Sequence, residues 1–483
     1  MSASLPAADV APPSRTERRC LIALLVLAAL LRLGVICWKP ESLAEDRDLY
    51  WGIAKHLAAG HGYIEPNLGN PTAYRPPLYP VLLAGIIFVG GGSKLLAVVQ
   101  IGMSVATVWL TWRLARKLGL KSNALLAAAF VALNPLLIHS TALAMTEVLC
   151  AFLLTALMVV VVETKPGTWQ HRWGIGLIFG LSALCRPTVW AFAVLVSVVC
   201  AASLFRRSTT GEHYDRIKTS FRWFAIVLTS GVVIAPWTLR NLRNSNDPLM
   251  TTTHGGYTLL LGNNAEAYQT EIAEPGVALW DSRAWQKSLQ EEWHRTREFQ
   301  SWSGYRKLEP ISNVRYEIER DRWMSHRAHE WIRQHPREFV ELCWLRVKRF
   351  WNIFPSGSDA ESLPLTARWG IAVFFAIELL AAAVGLWRLR RDEWSRWWPL
   401  VLLVLSFALV HVVYWSNLRM RAPVEPVLAL LAARGFVSAQ GSGLRFFRIG
   451  RSQFDFCSLG GQGHCVFQEL LDFSRPWSCE GQG

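Results

Sequence analysis

The sequence has too few well-placed cysteines for a disulfide framework. Of its nine, Cys20, Cys37, Cys150, Cys185 and Cys200 lie in or at the ends of apolar runs, as small apolar fillers, and Cys343 is alone in a long polar segment. Cys457, Cys465 and Cys479 fall in a Gly-rich tail at spacings that match no metal-ligand pattern. No small-residue cleavage site follows the first apolar run, Leu21 to Trp38, so that run reads as a retained span and not a removed signal peptide. There is no two-fold internal repeat of the kind common in secondary transporters. Acids are outnumbered by bases, 36 to 50, giving a net charge of +14.

What is abundant is apolar. Hydrophobic residues make up 52% of the chain, with 24 Trp in 483 residues, and the mean hydropathy is +0.21. That exceeds the content of soluble domains and predicts a multi-span membrane protein. A hydrocarbon layer of roughly 30 Å needs about 20 apolar residues. Suitable windows lie near 20–38, 95–112, 123–141, 145–163, 188–205, 222–239, 367–387 and 397–415, with shorter ones at 172–185 and 422–437.

Basic loops are retained on the cytoplasmic side. The N-terminus, Arg113 to Lys121, Lys165 to Arg172, Arg206 to Arg222, Arg388 to Arg396 and the tail are basic and should lie inside. This holds only if the run Leu78 to Gly91, short and bracketed by prolines and glycines, lies in the interface. The chain then makes about ten crossings, with both termini cytoplasmic. The expected organisation is a cytoplasmic N-terminus over 1–19, a transmembrane module over 20–239 with an outer loop at 39–94, an extracytoplasmic segment over 240–366, transmembrane helices over 367–437 and a cytoplasmic tail over 438–483. The 240–366 segment holds 17 basic and 17 acidic residues, so the whole net charge resides elsewhere, where it is topogenic and faces anionic lipid instead of nucleic acid. Apolar and aromatic residues recur there at three to four positions over Asp281 to Gln300 and Asn313 to Phe354, which predicts amphipathic helices packed on one another or on the bilayer.

Ionisable groups near a membrane are costly, so those at the outer ends of the spans need a reason. This topology brings Glu45, Asp46, Asp48, His139, Glu147, Arg186, Arg240, Arg419 and Arg421 to one depth, with Tyr74 and Arg75 beside them. Carboxylates and arginines at one depth suit an acid that steers a nucleophile while guanidinium groups hold an anionic leaving group. A phosphate held at headgroup level is the head of a lipid. Tandem prolines Pro76-Pro77 favour an extended entry that fixes Tyr74 and Arg75. Gly255, Gly256 and Gly262 lie near Asn263 and Asn264, whose amides could meet sugar hydroxyls or simply make turns.

The run EDRDLYWGIAKHLAAGHGY followed by AYRPPLYPVLLAG resembles the bacterial branch of the GT-C membrane glycosyltransferases, the protein O-mannosyltransferase and aminoarabinose-transferase-like family (glycosyltransferase family 39-like). Further likenesses lie in ALNPLLIHSTALAMTEVL, LCRPTVWAF, APWTLRN with THGGYTLLLGNN, and NLRMRAPVEPVLALLAARG, over roughly residues 18–436. The resemblance implies an all-α GT-C bundle in the inner membrane that moves a sugar from a polyprenyl-phosphate donor to a lipid, protein or glycan acceptor at the extracytoplasmic face, with inversion. It implies Asp46 as catalytic base, four residues before Tyr50, with the helper acid open between Glu45 and Asp48. Arg75, Arg419 and Arg421 are implied for the donor phosphate, and Tyr50, Tyr74, Glu147, Arg240, Asn263 and Asn264 for the substrate pocket. A divalent cation on Asp46 and Asp48 stays open, and no other cofactor is expected. A lipid-linked sugar flippase or transporter is the rival; outer-face charges and the missing repeat count against it. No nucleotide-binding glycine loop is present in a cytoplasmic loop, in keeping with a lipid-linked donor.

Overall fold

The computed structural model describes residues 12–437 except Leu68, 164–167, 208–212, 274–281, Glu298, 301–312, 357–359 and Glu361. The 438–483 tail, with Cys457, Cys465 and Cys479, lies outside the described residues. Eighteen α-helices form among the described residues, and the only β-pairing is an isolated bridge between Ile64 and Pro71. They begin with α1 (Arg15–Trp38), α2 (Tyr50–Ala58), α3 (Leu78–Phe88), α4 (Ser93–Lys117), α5 (Ala124–Leu133), α6 (Pro135–Ser140), α7 (Glu147–Glu163), α8 (Trp169–Cys185), α9 (Val189–Arg207) and α10 (His213–Ser245). Next are α11 (Gly255–Gly262), α12 (Ala265–Tyr268), α13 (Ser282–Arg295), α14 (Asn313–Gln334) and α15 (Pro336–Phe350). The chain closes with α16 (Leu365–Trp387), α17 (Arg391–Val413) and α18 (Glu425–Gly435).

The fold is all-helical and polytopic. Among the described residues, α1, α4, the Phe224–Ser245 part of α10, α16 and α17 are long and apolar enough to cross a membrane. The window at 123–141 is not one helix. Pro135 has no N–H to continue α5, so the chain breaks at Asn134, which turns extended and accepts from Leu136 N and Leu137 N at 3.1 Å to start α6. The run from Leu78 is an eleven-residue helix, α3, too short to span. Asn313 to Phe354 is likewise split, at His335-Pro336.

Helix ends leave orphan carbonyls, and buried arginines take up two sets of them. Arg32, the one charge inside the first apolar run, is 1% exposed and donates to Val131 O at 3.1 Å and Ala132 O at 3.0 Å at the end of α5, and to Ala28 O at 3.1 Å in its own helix. Arg346 does the same for the end of α17, donating to Val412 O and Val413 O at 2.8 and 2.9 Å. Buried unpaired carbonyls cost about 1–3 kcal/mol each. The variant Arg32→Met is therefore expected to lose about 2–4 kcal/mol, read as a lower unfolding midpoint in detergent.

Helix α18 is the bundle's axis: every residue from Glu425 to Arg434 is buried. It crosses α16 with backbones in contact, since a Cβ on Gly385 would collide with Leu431 O and one on Gly435 with Ala381 O. The outer side of α16 is a stripe of Trp369, Val373, Ile377, Leu380 and Val384, exposed at helical spacing as a lipid-facing surface is. In the 240–366 segment the aromatic periodicity serves packing: Trp285 and Leu289 of α13 meet Leu259 and Leu260 of α11 and Met324 and Ala328 of α14. Trp344, by contrast, is 60% exposed.

Candidate active site

The loop after α1 makes a short 3-10 turn and then presents Glu45, Asp46 and Asp48, which the structure puts to three different uses. Asp46 is exposed and caps α2, its Oδ1 accepting from Trp51 N at 3.0 Å and its Oδ2 from Gly52 N at 2.7 Å. Glu45 turns outward to Arg47 at 2.8 Å. Asp48 meets Arg75, whose Nη2 donates to its Oδ1 at 2.8 Å and whose Nε donates to its backbone carbonyl at 3.1 Å. Leu49, between these acids and α2, sits in the left-handed region at φ 65°. A branched side chain is strained there, and such strain collects at functional sites.

Arg75 is wedged between rings, its guanidinium 4.7 Å from Tyr74 and 5.6 Å from Tyr50. The segment leading to it is bolted from three sides. Glu317 of α14 accepts from Thr72 Oγ1 and from Ala73 N at 2.5 and 2.8 Å, and also from Thr253 Oγ1. Thr253 N donates to Ala73 O at 3.1 Å, and Thr252 Oγ1 to Tyr74 O. Arg240 donates to Thr72 O and Tyr63 O, both at 2.7 Å, while lying over Tyr63 and Trp237. Arg240 is thus a clamp for the loop. Burial raises the Glu317 carboxyl above its usual range, and its three donors offset part of that.

A second cluster lies on the other side of Tyr50. Glu147, the first residue of α7, is fully buried; its Oε1 accepts from Arg186 Nη2 at 3.1 Å. Arg419 Nε approaches the same oxygen at 3.3 Å without hydrogen-bond alignment. Tyr50 is 5% exposed, and the charges of Arg75, Asp48, Glu147 and Arg186 all act on its phenol, which burial pushes up, so it stays protonated as a donor. Buried polar atoms without a hydrogen-bond partner gather in the same motifs: Glu147 Oε2, Arg186 Nη1, Thr188 Oγ1, Trp190 Nε1, Ser416 Oγ and Asn417 Oδ1. Such atoms are rare in finished cores and common where a polar ligand binds.

Three expected residues are placed elsewhere. Arg421 is fully buried and pairs with Glu425, donates to Phe350 O and Asn352 O, and covers the Phe375 ring at 4.7 Å. It closes the end of α15 instead of joining Arg419, because two positions along a 3-10 turn point to different sides. Asn263 spends its amide on Leu259 O and Val413 O, and its Oδ1 accepts from Arg346. Asn264 caps α12. Both amides donate to backbone carbonyls. Among the described residues no group of three or more His, Cys, Asp or Glu side chains gathers, and Asp46 and Asp48 serve N–H groups and Arg75.

Two groups not singled out from sequence complete the picture. Glu317 carries no local pattern that sets it apart from the other acids of its helix. His254 stands edge-on to Tyr74, centroids 4.5 Å apart, and 4.9 Å from Tyr257; burial and the nearby Arg75 hold its imidazole well below the usual histidine range, so it is neutral.

Helices of membrane length and a lipid-facing rim define a polytopic membrane protein, with acids, arginines and tyrosines clustered at its helix ends. Residues 74–238 match the family model of dolichyl-phosphate-mannose-protein mannosyltransferase, a segment that contains Tyr74, Arg75, Glu147 and Arg186. The matched segment is about a third of the chain, and it falls within the stretch whose motifs resemble the GT-C, family 39-like membrane glycosyltransferases. No curated protein matches the chain. Among solved structures, the oligosaccharyltransferase AglB of Archaeoglobus fulgidus, in complex with an inhibitory peptide and a dolichol-phosphate, is 14% identical with a TM-score of 0.47, over 87% of this chain and 50% of its own. ArnT of Cupriavidus metallidurans bound to undecaprenyl phosphate is 12% identical with a TM-score of 0.38, over 88% and 78%. The chain thus spans about half the length of the archaeal enzyme.

Proposed function

We propose that the protein transfers a sugar from a polyprenyl-phosphate donor to a lipid, protein or glycan acceptor at the extracytoplasmic face of the cell membrane, with both termini cytoplasmic. The observation that carries this reading is the Asp48–Arg75 pair between Tyr50 and Tyr74, adjoining the Glu147–Arg186–Arg419 cluster, where the mannosyltransferase match begins.

Arg75, aimed by Asp48, holds the donor phosphate together with Arg419, and Tyr50 is a donor to the same oxygens. Asp46 is exposed to an arriving acceptor, and its two backbone N–H donors fix its direction. In a single displacement the acceptor oxygen or nitrogen bonds to the anomeric carbon, the bond from that carbon to the phosphate oxygen breaks, the lipid phosphate leaves as the anion, and the acceptor proton passes to Asp46. The anomeric configuration inverts. The 240–366 segment, which bolts the Arg75 loop through Glu317, is the part placed to choose the acceptor.

The test uses labelled polyprenyl-phosphate sugars, a membrane extract as acceptor and purified protein. Asp46→Asn is expected to lower the rate about 10²–10⁴-fold at unchanged KM for the donor. Asp48→Asn, which frees Arg75, is expected to raise that KM. If intact lipid instead moved between leaflets, and did so equally in Asp46→Asn, the protein would be a flippase.

A further inference from the structure

Beside Tyr74, α11, α13 and α14 line a half-open cleft of about 480 Å³, within the size range of small-molecule sites. Its polar lining is Tyr74, Tyr257, Gln286, Lys287, Gln290 and Arg320. It lies one ring's thickness from the donor-phosphate arginine, since the Tyr74 ring that lines it also covers Arg75 at 4.7 Å. Neutral His254 stands between Tyr74 and Tyr257.

The charge in this cleft is one-sided. Lys287 and Arg320 have no ion-pair partner among the described residues, and Arg320 Nε is buried without a hydrogen-bond partner. The acids around them are committed elsewhere. Glu317 holds Thr72, Ala73 and Thr253; Asp321 accepts from Gly256 N and Tyr257 N at 2.7 and 3.2 Å. Glu292 pairs with Arg327 at 2.6 Å and Glu319 with Arg322 at 3.1 Å. Tyr74 and Tyr257 line it with aromatic surface for the C–H side of a sugar, and Gln290 adds an amide for its hydroxyls.

We propose that this cleft is the acceptor subsite and that it takes an acidic sugar unit, whose carboxylate or phosphate is bound by Lys287 and Arg320. The assignment of an acceptor rests on the transferase reading above; the binding of an acidic sugar does not. An acceptor seated there lies across Tyr74 from the departing lipid phosphate, and the two cations select it over neutral glycans without touching the reacting atoms.

The experiment measures equilibrium binding to the full-length protein in detergent by calorimetry, with three probes of equal length: trigalacturonate, its carboxyl-reduced counterpart and a phosphorylated neutral trisaccharide. Wild type is expected to bind at least one anionic probe about tenfold or more tightly than the neutral one. Preference for trigalacturonate alone identifies a uronate acceptor, and preference for the phosphorylated sugar alone a phosphorylated one. Lys287→Gln with Arg320→Gln is expected to abolish the preference while Arg75→Ala retains it; Lys287→Gln alone, on an exposed face of α13, gives a partial loss and guards against a folding defect. Equal binding of charged and neutral probes, an unaffected double variant, or loss of the preference in Arg75→Ala would each overturn the proposal. Transfer from the labelled lipid donor is followed in parallel: its absence with anion binding intact sinks the transferase reading and leaves an acidic-sugar site.

Discussion

Arg75→Ala is expected to lower sugar transfer about 10²–10³-fold, the usual effect of removing one preorganised donor from a site of developing negative charge. Arg75 is the only described arginine that is at once paired to a first-loop acid and sandwiched between two tyrosines. Its side chain is 14% exposed, so no bulk water stands in for the lost guanidinium. Asp48, 26% exposed, can be hydrated, so the fold should survive and the loss should appear in the rate at an unchanged unfolding midpoint. Arg75→Lys keeps the charge but loses the planar fork that engages Asp48 through two nitrogens, and is expected to fall between wild type and alanine. Retention of full transfer by Arg75→Ala would remove the donor-phosphate role from this residue.

Glu147→Ala is expected to act on the fold before it acts on catalysis. The glutamate is fully buried between Arg186 and Arg419, whose side chains are 13% and 26% exposed. Deleting it leaves two guanidinium groups facing each other in a low-dielectric setting, and breaking such an arrangement costs about 3–5 kcal/mol. The unfolding midpoint in detergent should drop accordingly and the yield of folded protein with it. Glu147→Gln keeps the shape and one acceptor oxygen, so a smaller loss is expected. Glu147→Leu combined with Arg186→Leu should recover part of the deficit, because the second change removes the uncompensated charge; a double-mutant cycle reads the coupling. A midpoint unchanged in Glu147→Ala would mean that the three groups are solvated and not a buried cluster.

The class of the molecule was legible in the sequence because a bilayer imposes one-dimensional rules. Span length, the charge of the flanking loops and apolar content are properties of contiguous windows, and they predicted an all-helical polytopic chain with Leu78 to Gly91 too short to cross. The Tyr74–Arg75 neighbourhood was legible for a similar reason: two acids, a tyrosine and the Arg-Pro-Pro run lie close together along the chain. The break at Asn134-Pro135 could have been read in the same way, since proline ends a helix wherever it stands.

Tertiary structure alone decided how each charge is used. Asp46 and Asp48 are two residues apart, yet one caps a helix and the other grips Arg75, because the chain turns through Arg47 and Asp48 before left-handed Leu49 leads into α2. Arg419 and Arg421 are equally close in sequence, yet one faces Glu147 and the other seals the end of a helix seventy residues upstream. Asn263, Asn264 and Arg240 have the chemistry of ligand-binding groups, and the fold spends them on orphaned carbonyls and helix starts. A sequence states which donors and acceptors exist; which of them are already satisfied depends on carbonyls that distant helix breaks leave unpaired, and only the packed bundle determines where those carbonyls point.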